Sequence, residues 1–182
     1  MLYELLLNYI DTFSFLNVFK YITFRTGLAF FTSLFIALFI GAPFIKLFSN
    51  KKIFDPIRED GPSDHIIKKI GTPTMGGVII LIGLIISVIL WADLKNIYIL
   101  FCLYIVSSFG ILGAYDDFKK IRNRSSSGIS SKFKIVVQIL LAMIGLIILT
   151  YFVEYNEFKN LYFPFFKNLI INLGWFFIPF SV

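Results

Sequence analysis

Five long blocks of apolar residues, separated by polar connections, constrain this chain more than any other feature. The blocks cover about residues 28–48, 75–91, 97–115, 135–153 and 169–182. Because the hydrocarbon core of a bilayer is about 30 Å thick, a block of about 18 or more apolar residues predicts a transmembrane helix. Backbone polar groups in lipid must bond within their own segment, so the spans are expected to be helical. The sequence predicts an all-α, polytopic helix bundle of about five spans, with residues 1–182 forming a single transmembrane domain.

The overall composition excludes an ordinary soluble domain. Charged residues make up 15% of the chain and hydrophobic residues 58%, whereas soluble domains carry about 25% charged residues. Two regions are less regular than the spans. Apolar residues recur at helical spacing in 1–24, which indicates an interfacial helix or loop. Gly41 and Pro43 are expected to break the first span near its end.

The distribution of basic residues predicts the orientation. Twelve of the 17 lysines and arginines occupy or flank two loops, at about 49–73 and 116–134. The positive-inside rule places both loops in the cytoplasm, and the N-terminus and the 92–96 turn in the periplasm. Lys20 and Arg25 oppose this orientation, but they are only two. The net charge of +6 is therefore attributed to topology, and no nucleic-acid partner is expected.

Two adjacent carboxylates, Asp116 and Asp117, lie where the third span meets the cytoplasm. Like charges repel, so keeping both ionised favours a nearby cation. One of them could hold Mg²⁺, which takes one or two carboxylates plus substrate phosphates. Adjacent helical positions point about 100° apart, so the two need not serve one purpose. Lys120 shares a helix face with Asp116, and the alternative is a solvated helix end with an ordinary ion pair.

The segment GTPTMGG, residues 71–77, opens the second span. A helix N-terminus attracts anions, and Gly76 and Gly77 permit close approach of a ligand or of another helix. Lys68 and Lys69 precede this turn and could pair with a phosphate, although the pattern alone favours plain topological charge. Ser125–Ser127 and Gly128 predict a flexible loop whose amides could meet an anion.

Taken together, five segments resemble the phospho-N-acetylmuramoyl-pentapeptide transferase family, over the N-terminal half of its members. Their order and spacing match along nearly the whole chain, and PTMGG beside DGP…H is far more specific than an aspartate pair. The segments are EDGPSDH (59–65), KKIGTPTMGG (68–77), GAYDDFKK (113–120), GISSKFK (128–134) and PFFK (164–167).

The resemblance implies a ten-span enzyme of the bacterial inner (cytoplasmic) membrane with cytoplasmic active-site loops. It would transfer phospho-MurNAc-pentapeptide from UDP-MurNAc-pentapeptide to undecaprenyl phosphate, giving lipid I and UMP in peptidoglycan synthesis, with Mg²⁺ as cofactor. The implied partners are these two substrates and the lipid bilayer, and a homodimer is compatible with the resemblance. Later family motifs, including an NAVNLTDGLDG-like segment, are absent. The chain is therefore expected to hold about half of the active site and to be inactive alone.

The family pattern also assigns site residues. Asp116 and Asp117 match the paired active-site aspartates, one of which would contact Mg²⁺, with the choice left open. The other would act on the attacking lipid phosphate as a base or an orienting group, and a covalent phosphoenzyme is the rival mechanism. The remaining matches are Lys69 and Lys120 as catalytic lysines, Thr74 in the nucleotide pocket and Lys132 near the active site.

Two other readings stay open at this point. One is a related polyprenyl-phosphate GlcNAc-1-phosphate transferase, which a test with UDP-GlcNAc would distinguish. The other is a transporter or a structural membrane subunit, which predicts charged residues inside spans or paired half-helices. The second to fourth spans contain no charged residue, which counts against that reading.

Overall fold

The computed structural model describes residues 2–50, 75–123, 127–153, 160–163 and 166–182. Helices dominate these ranges, as the apolar blocks predict, and a two-stranded antiparallel hairpin follows the last long helix. The helices are α1 (Leu2–Asn8), α2 (Ile22–Asn50), α3 (Gly76–Trp91), α4 (Ile97–Asn123), α5 (Ser131–Phe152) and α6 (Phe177–Ser181), with 3-10 turns at Ser14–Lys20 and Gly174–Phe176; the strands are β1 (Asn160–Phe163) and β2 (Phe166–Asn172).

The long helices have the apolar outer surface that is typical of a multi-pass membrane protein. Within the described ranges, α2, α4 and α5 are long and apolar enough to cross a membrane, and α3 is a shorter apolar helix of 16 residues. Large apolar side chains face outward along them. Phe31, Phe35 and Phe39 follow one another at helical spacing on α2 and are 54%, 53% and 76% exposed. Such a continuous apolar surface suits lipid and would be unfavourable in water.

Glycines allow neighbouring helices to approach closely, as is common in membrane bundles. A Cβ on Gly83 of α3 would lie 3.3 Å from the backbone oxygen of Ser33 on α2. A Cβ on Gly110 of α4 would overlap a leucine side chain of α3, and one on Gly145 of α5 would lie 3.0 Å from the Tyr104 ring on α4. Each successive pair of long helices therefore packs over a position without a side chain.

Two polar contacts join the same helices. The Trp91 indole N–H of α3 donates to the Thr32 hydroxyl of α2 at 2.9 Å. The Tyr104 hydroxyl of α4 donates to the Leu141 carbonyl of α5 at 3.1 Å. Interhelical hydrogen bonds of this kind contribute about 0.6 kcal/mol each in membranes, so they fix the register of the helices more than they stabilise the bundle.

The first span is longer than predicted and is one continuous helix. It begins at Ile22, before residue 28, and continues through Pro43 to Asn50, so the predicted break near Gly41 and Pro43 is wrong. Neighbouring helices and local adjustments can satisfy the carbonyl that a proline frees in a transmembrane helix. The predicted interfacial segment 1–24 divides into α1, the Ser14–Lys20 turn and the start of α2.

The second basic loop is shorter than predicted because both flanking helices extend into it. Helix α4 continues about two turns past residue 115 to Asn123, and α5 begins at Ser131 rather than near 135. Lysine–carboxylate pairs at helical spacing support the extra turns of α4. The Ser130 side chain accepts a hydrogen bond from the Phe133 N–H and caps the start of α5. The Asp pair therefore lies in the charged end of α4, about two turns before the last residue of the helix.

The predicted fifth span at 169–182 is not a continuous helix. Residues up to Asn172 belong to β2, which pairs antiparallel with β1, and only Phe177–Ser181 forms α-helix. The block contains β-branched Ile170 and Ile171, which suit a pleated strand. Apolar composition alone could not separate such a strand from the start of a span.

The orientation can be tested with two asparagines that bracket α4. Asn96 caps the start of this helix and Asn123 ends it, about 40 Å away at 1.5 Å per residue. In whole cells expressing the full-length protein, a membrane-impermeant maleimide should label Asn96→Cys but not Asn123→Cys. The exposed native thiol of Cys102 is first removed as Cys102→Ser. Labelling of Asn123→Cys alone would reverse the predicted topology.

Candidate active site

Asp116 and Asp117 occupy the charged end of α4, beyond the apolar stretch at 97–115. Their side chains diverge, as adjacent helical positions require. The Asp116 side chain is 8% exposed and faces α5, whereas that of Asp117 is 35% exposed. The prediction that the two carboxylates occupy different surroundings is confirmed.

Both oxygens of the Asp116 carboxylate accept hydrogen bonds. The Ile129 N–H donates to Oδ1 at 2.7 Å. The Lys120 and Lys134 ammonium groups lie 2.9 Å and 3.1 Å from Oδ2. A partly buried carboxylate with two cations and an amide donor is strongly favoured as the anion, since charge-assisted hydrogen bonds are the strong ones.

The electrostatic result is a carboxyl group with a lowered pKa. Burial raises the pKa of Asp116, but the Ile129 N–H, the two lysine hydrogen bonds and the charge of Lys120 outweigh it and lower the pKa to about 2. The pKa of Lys120 is raised, chiefly by its hydrogen bond to Asp116. Both groups therefore carry full charge near neutral pH.

Lys120 bridges the two carboxylates. Its ammonium group lies 2.9 Å from Asp116 Oδ2 and 3.0 Å from Asp117 Oδ1. The shared helix face of Asp116 and Lys120 that the sequence predicted is confirmed. The i,i+4 ion pair of the alternative interpretation is present on it, and an i,i+3 bond to Asp117 adds to it. The lysine relieves the repulsion between adjacent anions while remaining 24% exposed.

The loop before α5 delivers the other donors. Ser130 caps the start of α5, so Lys134 lies in the first turn of the helix. Ile129, the residue before the cap, donates its N–H to Asp116. The amide that contacts an anion here is that of Ile129, one residue beyond the predicted 125–128 segment, and the anion is the protein's own Asp116. Anion binding by the 125–128 amides stays a prediction.

The acidic groups offer limited metal ligation. Within the described residues there is no group of three or more His, Cys, Asp or Glu side chains that could hold a metal ion. Asp116 accepts hydrogen bonds at both oxygens, whereas the more exposed Asp117 is bonded to Lys120 through Oδ1. Since Mg²⁺ commonly takes one or two carboxylates and completes its shell with water and phosphates, Asp117 fits as a single protein ligand.

The other predicted site residues have different outcomes. Lys69 and Thr74, like Lys68, lie in 51–74, outside the described residues. Lys132 is exposed on the first turn of α5, and within the described ranges Lys134, not Lys132, is the α5 lysine that pairs with Asp116. Lys134 was missed because 18 positions separate it from Asp116; its place one turn after a capping serine was the available signal.

The start of α3 shows no tight packing at its glycines. A Cβ on Gly76 or Gly77 would meet nothing within 4 Å among the described residues, so their helix-packing role is unsupported there. Met75 adopts a left-handed backbone with φ of 66°, which costs a non-glycine residue about 1–2 kcal/mol. Backbone strain of this kind is often retained at functional sites.

Comparison with known proteins points to one family. The family model described as Phospho-N-acetylmuramoyl-pentapeptide-transferase signature 1 matches residues 69–81. A curated protein of that name from Pelagibacter ubique is 65% identical over 182 residues, covering 100% of this chain and 50% of the relative. Relatives of the same name from Caulobacter vibrioides and Thermodesulfovibrio yellowstonii are each 41% identical, again over 100% of this chain and 50% of their own length. The chain spans about half the length of these relatives and matches their N-terminal half.

The two aspartates should differ in their effect on stability. Asp116→Asn leaves the Lys134 ammonium group without its anion and removes one of the two anions of Lys120, so the full-length protein should lose about 2 kcal/mol, the scale for hydrogen bonds to charged groups. Asp117→Asn removes one partly exposed pair and should cost less than about 1 kcal/mol. Unfolding by SDS in mixed micelles measures both, and equal losses would contradict the contrast in their surroundings.

Proposed function

Because the chain is 65% identical to a curated phospho-N-acetylmuramoyl-pentapeptide-transferase over half of that relative's length, we propose that the enzyme containing it belongs to this family and transfers phospho-MurNAc-pentapeptide from UDP-MurNAc-pentapeptide to undecaprenyl phosphate. The products are lipid I and UMP, as peptidoglycan synthesis requires. The observation that carries the proposal is the Asp116–Asp117–Lys120 cluster at the polar end of an apolar helix. It lies within a chain that is 65% identical to a curated relative of that name.

The chemistry suits such a cluster. One phosphoanhydride is broken and a similar one forms, so catalysis consists mainly of positioning and charge neutralisation, as in other phosphoryl transfers. A membrane-embedded lipid phosphate must meet a water-soluble nucleotide sugar at the bilayer surface. Fixed charges at the end of a membrane helix, such as Lys120 between two carboxylates, are suited to that boundary.

The two carboxylates have separate roles in this proposal. Asp117 is the ligand for Mg²⁺, because its side chain is the more accessible and has fewer competing cations. Bound Mg²⁺ would supply positive charge to the donor pyrophosphate. Asp116, with both oxygens already accepting hydrogen bonds, orients Lys120 rather than taking a proton. The same engagement makes Asp116 a poor nucleophile for a phosphoenzyme.

The lysines supply the positive charge that the phosphates need. Lys120 is held at the site by both aspartates. The family pattern assigns Lys69 a catalytic role and assigns Thr74 and Lys132 to substrate binding. Lys132 has an accessible side chain at the start of α5. Lipid phosphates are largely ionised near neutral pH, so cations here assist the attack more than a base would.

The proposed location is the bacterial inner membrane, with the active-site loops in the cytoplasm. The supporting observation is that the second basic loop, together with the Asp pair, lies at one end of α4, and the 92–96 turn lies at the other. UDP-linked sugars are cytoplasmic substrates, so this orientation brings donor and cluster to the same side.

A donor comparison tests the function. Full-length protein in detergent with Mg²⁺ and undecaprenyl phosphate should release UMP and form lipid I with UDP-MurNAc-pentapeptide. It should leave UDP-GlcNAc unused. Turnover of UDP-GlcNAc instead would support the related GlcNAc-1-phosphate transferase, and turnover of neither would refute both assignments.

The aspartates should respond differently to metal. In the full-length enzyme, Asp116→Asn and Asp117→Asn should each lower turnover by roughly 10² or more, the scale for losing one well-placed electrostatic group. Raising Mg²⁺ should partly restore Asp117→Asn and leave Asp116→Asn unchanged. A Mg²⁺ titration of the initial rate provides the comparison, and rescue of Asp116→Asn alone would exchange the two roles.

A matched pair of lysines tests the phosphate contact before α3. Lys69→Ala should lower turnover by removing positive charge from the donor, whereas Lys68→Ala should have a smaller effect. The two substitutions remove the same charge from adjacent positions, so topology is affected equally. Small and equal effects on kcat would contradict the phosphate contact and would indicate that both lysines only set the membrane topology.

A further inference from the structure

The loop before α5 is fitted closely around the Asp116 carboxylate. A Cβ on Gly128 would lie 2.7 Å from Asp116 Cγ and would overlap Oδ1. The next residue, Ile129, donates its N–H to the same Oδ1. The bare Cα of Gly128 and the N–H of Ile129 therefore form one surface against one oxygen of the carboxylate.

This surface leaves no room for a side chain at position 128. A Cβ closer than about 3 Å to another heavy atom forces something to move. Here the atoms in the way are the carboxylate itself and, at 3.0 Å, Cε of Lys120. Since three donors hold the carboxylate, moving it would disrupt the whole cluster.

Lys134 completes the arrangement on the other oxygen. Its ammonium group lies 3.1 Å from Asp116 Oδ2, and its side chain is 37% exposed. The first turn of α5 thus contributes a cation, and the preceding loop contributes an N–H and a position without a side chain. Both act on the one carboxylate that also holds Lys120.

We propose that Gly128 and Lys134 are positioning residues for phosphoryl transfer: they hold Asp116 against α5, so that Lys120 is fixed and Asp117 alone remains open to ligands. The proposal deepens the proposed function and rests on it. Neither residue needs to touch substrate. Their effect is to keep Asp116 bonded within the protein while Asp117, the same residue type, stays open to ligands.

This arrangement makes α5 a participant in catalysis through its N-terminal turn. If the loop and the first turn of α5 moved away from Asp116, that carboxylate would lose the Ile129 and Lys134 donors. It could then compete with Asp117 for Mg²⁺ or for Lys120. Gly128 and Lys134 prevent this from opposite oxygens of the same carboxylate.

The kinetic test uses the full-length enzyme in lipid nanodiscs with both substrates. Gly128→Ala and Lys134→Met should each lower kcat roughly tenfold or more while the KM for the nucleotide donor changes less than about threefold, because an interaction needed in the transition state is lost. Lys134→Arg, which keeps the cation, should restore most of kcat. Gly27→Ala, at a glycine with open space around it, and Lys119→Met, which forms no ion pair with either aspartate within the described residues, are the controls and should stay near wild type.

A double-mutant cycle separates positioning from general damage. The rate of thermal unfolding should rise at least about threefold on Gly128→Ala in the wild-type background but not in an Asp116→Ala background. There the obstructing carboxylate is gone, and the remaining neighbour, Cε of Lys120, belongs to a flexible side chain that can move. Equal destabilisation in both backgrounds, a change confined to KM, or full activity of Lys134→Met would overturn the proposal. If the wild-type protein formed no lipid I, the proposed function would fail while the cycle still reported whether Gly128 and Asp116 are coupled.

Discussion

The contact between Asp116 on α4 and the start of α5 underlies the rest of the site. Asp116 is nearly buried at the polar end of a membrane helix, where an unpaired carboxylate would be costly. The Ile129 N–H and the Lys134 ammonium group offset that cost, and Lys120 shares the same oxygen as Lys134. Because these partners come from two helices, the register of α4 against α5 and the charge state of the site are set together.

The same contact explains how two adjacent aspartates differ. A carboxylate that already accepts three hydrogen bonds has little capacity left for a metal or a proton, whereas its neighbour retains some. In the Asp–Asp dipeptide, one carboxylate is therefore held by the protein and the other remains accessible to ligands. Glycine packing at Gly145 and the Tyr104–Leu141 hydrogen bond hold the same helix pair farther along, so the anchored carboxylate has a rigid frame.

Much of this fold was predictable, and the errors have specific physical causes. Four of the five predicted spans are helices, and helical spacing correctly placed Lys120 on the same face as Asp116, because both depend on local sequence. The predicted all-α fold class is correct except for one β-hairpin. The hairpin was missed because Ile170 and Ile171 are apolar enough to resemble a span and also favour a strand. Lys134 was missed because the loop's conformation, not its sequence spacing, brings it to Asp116. The charged residues after 115 predict a loop, but α4 continues to Asn123 because their pairing supports a helix.

The most direct test of the account is the distance between the Asp116 carboxyl carbon and the Lys134 side-chain nitrogen in the full-length protein in lipid. Rotational-echo double-resonance NMR on protein with ¹³C-labelled aspartate and ¹⁵N-labelled lysine can measure it, and Lys134→Met identifies the signal by its loss. We expect strong dephasing of the Asp116 carboxyl signal, part of which disappears in the variant while the Lys120 contribution remains. An Asp116 signal that Lys134→Met leaves unchanged would contradict the account, because α5 would then not hold the carboxylate on which the site depends.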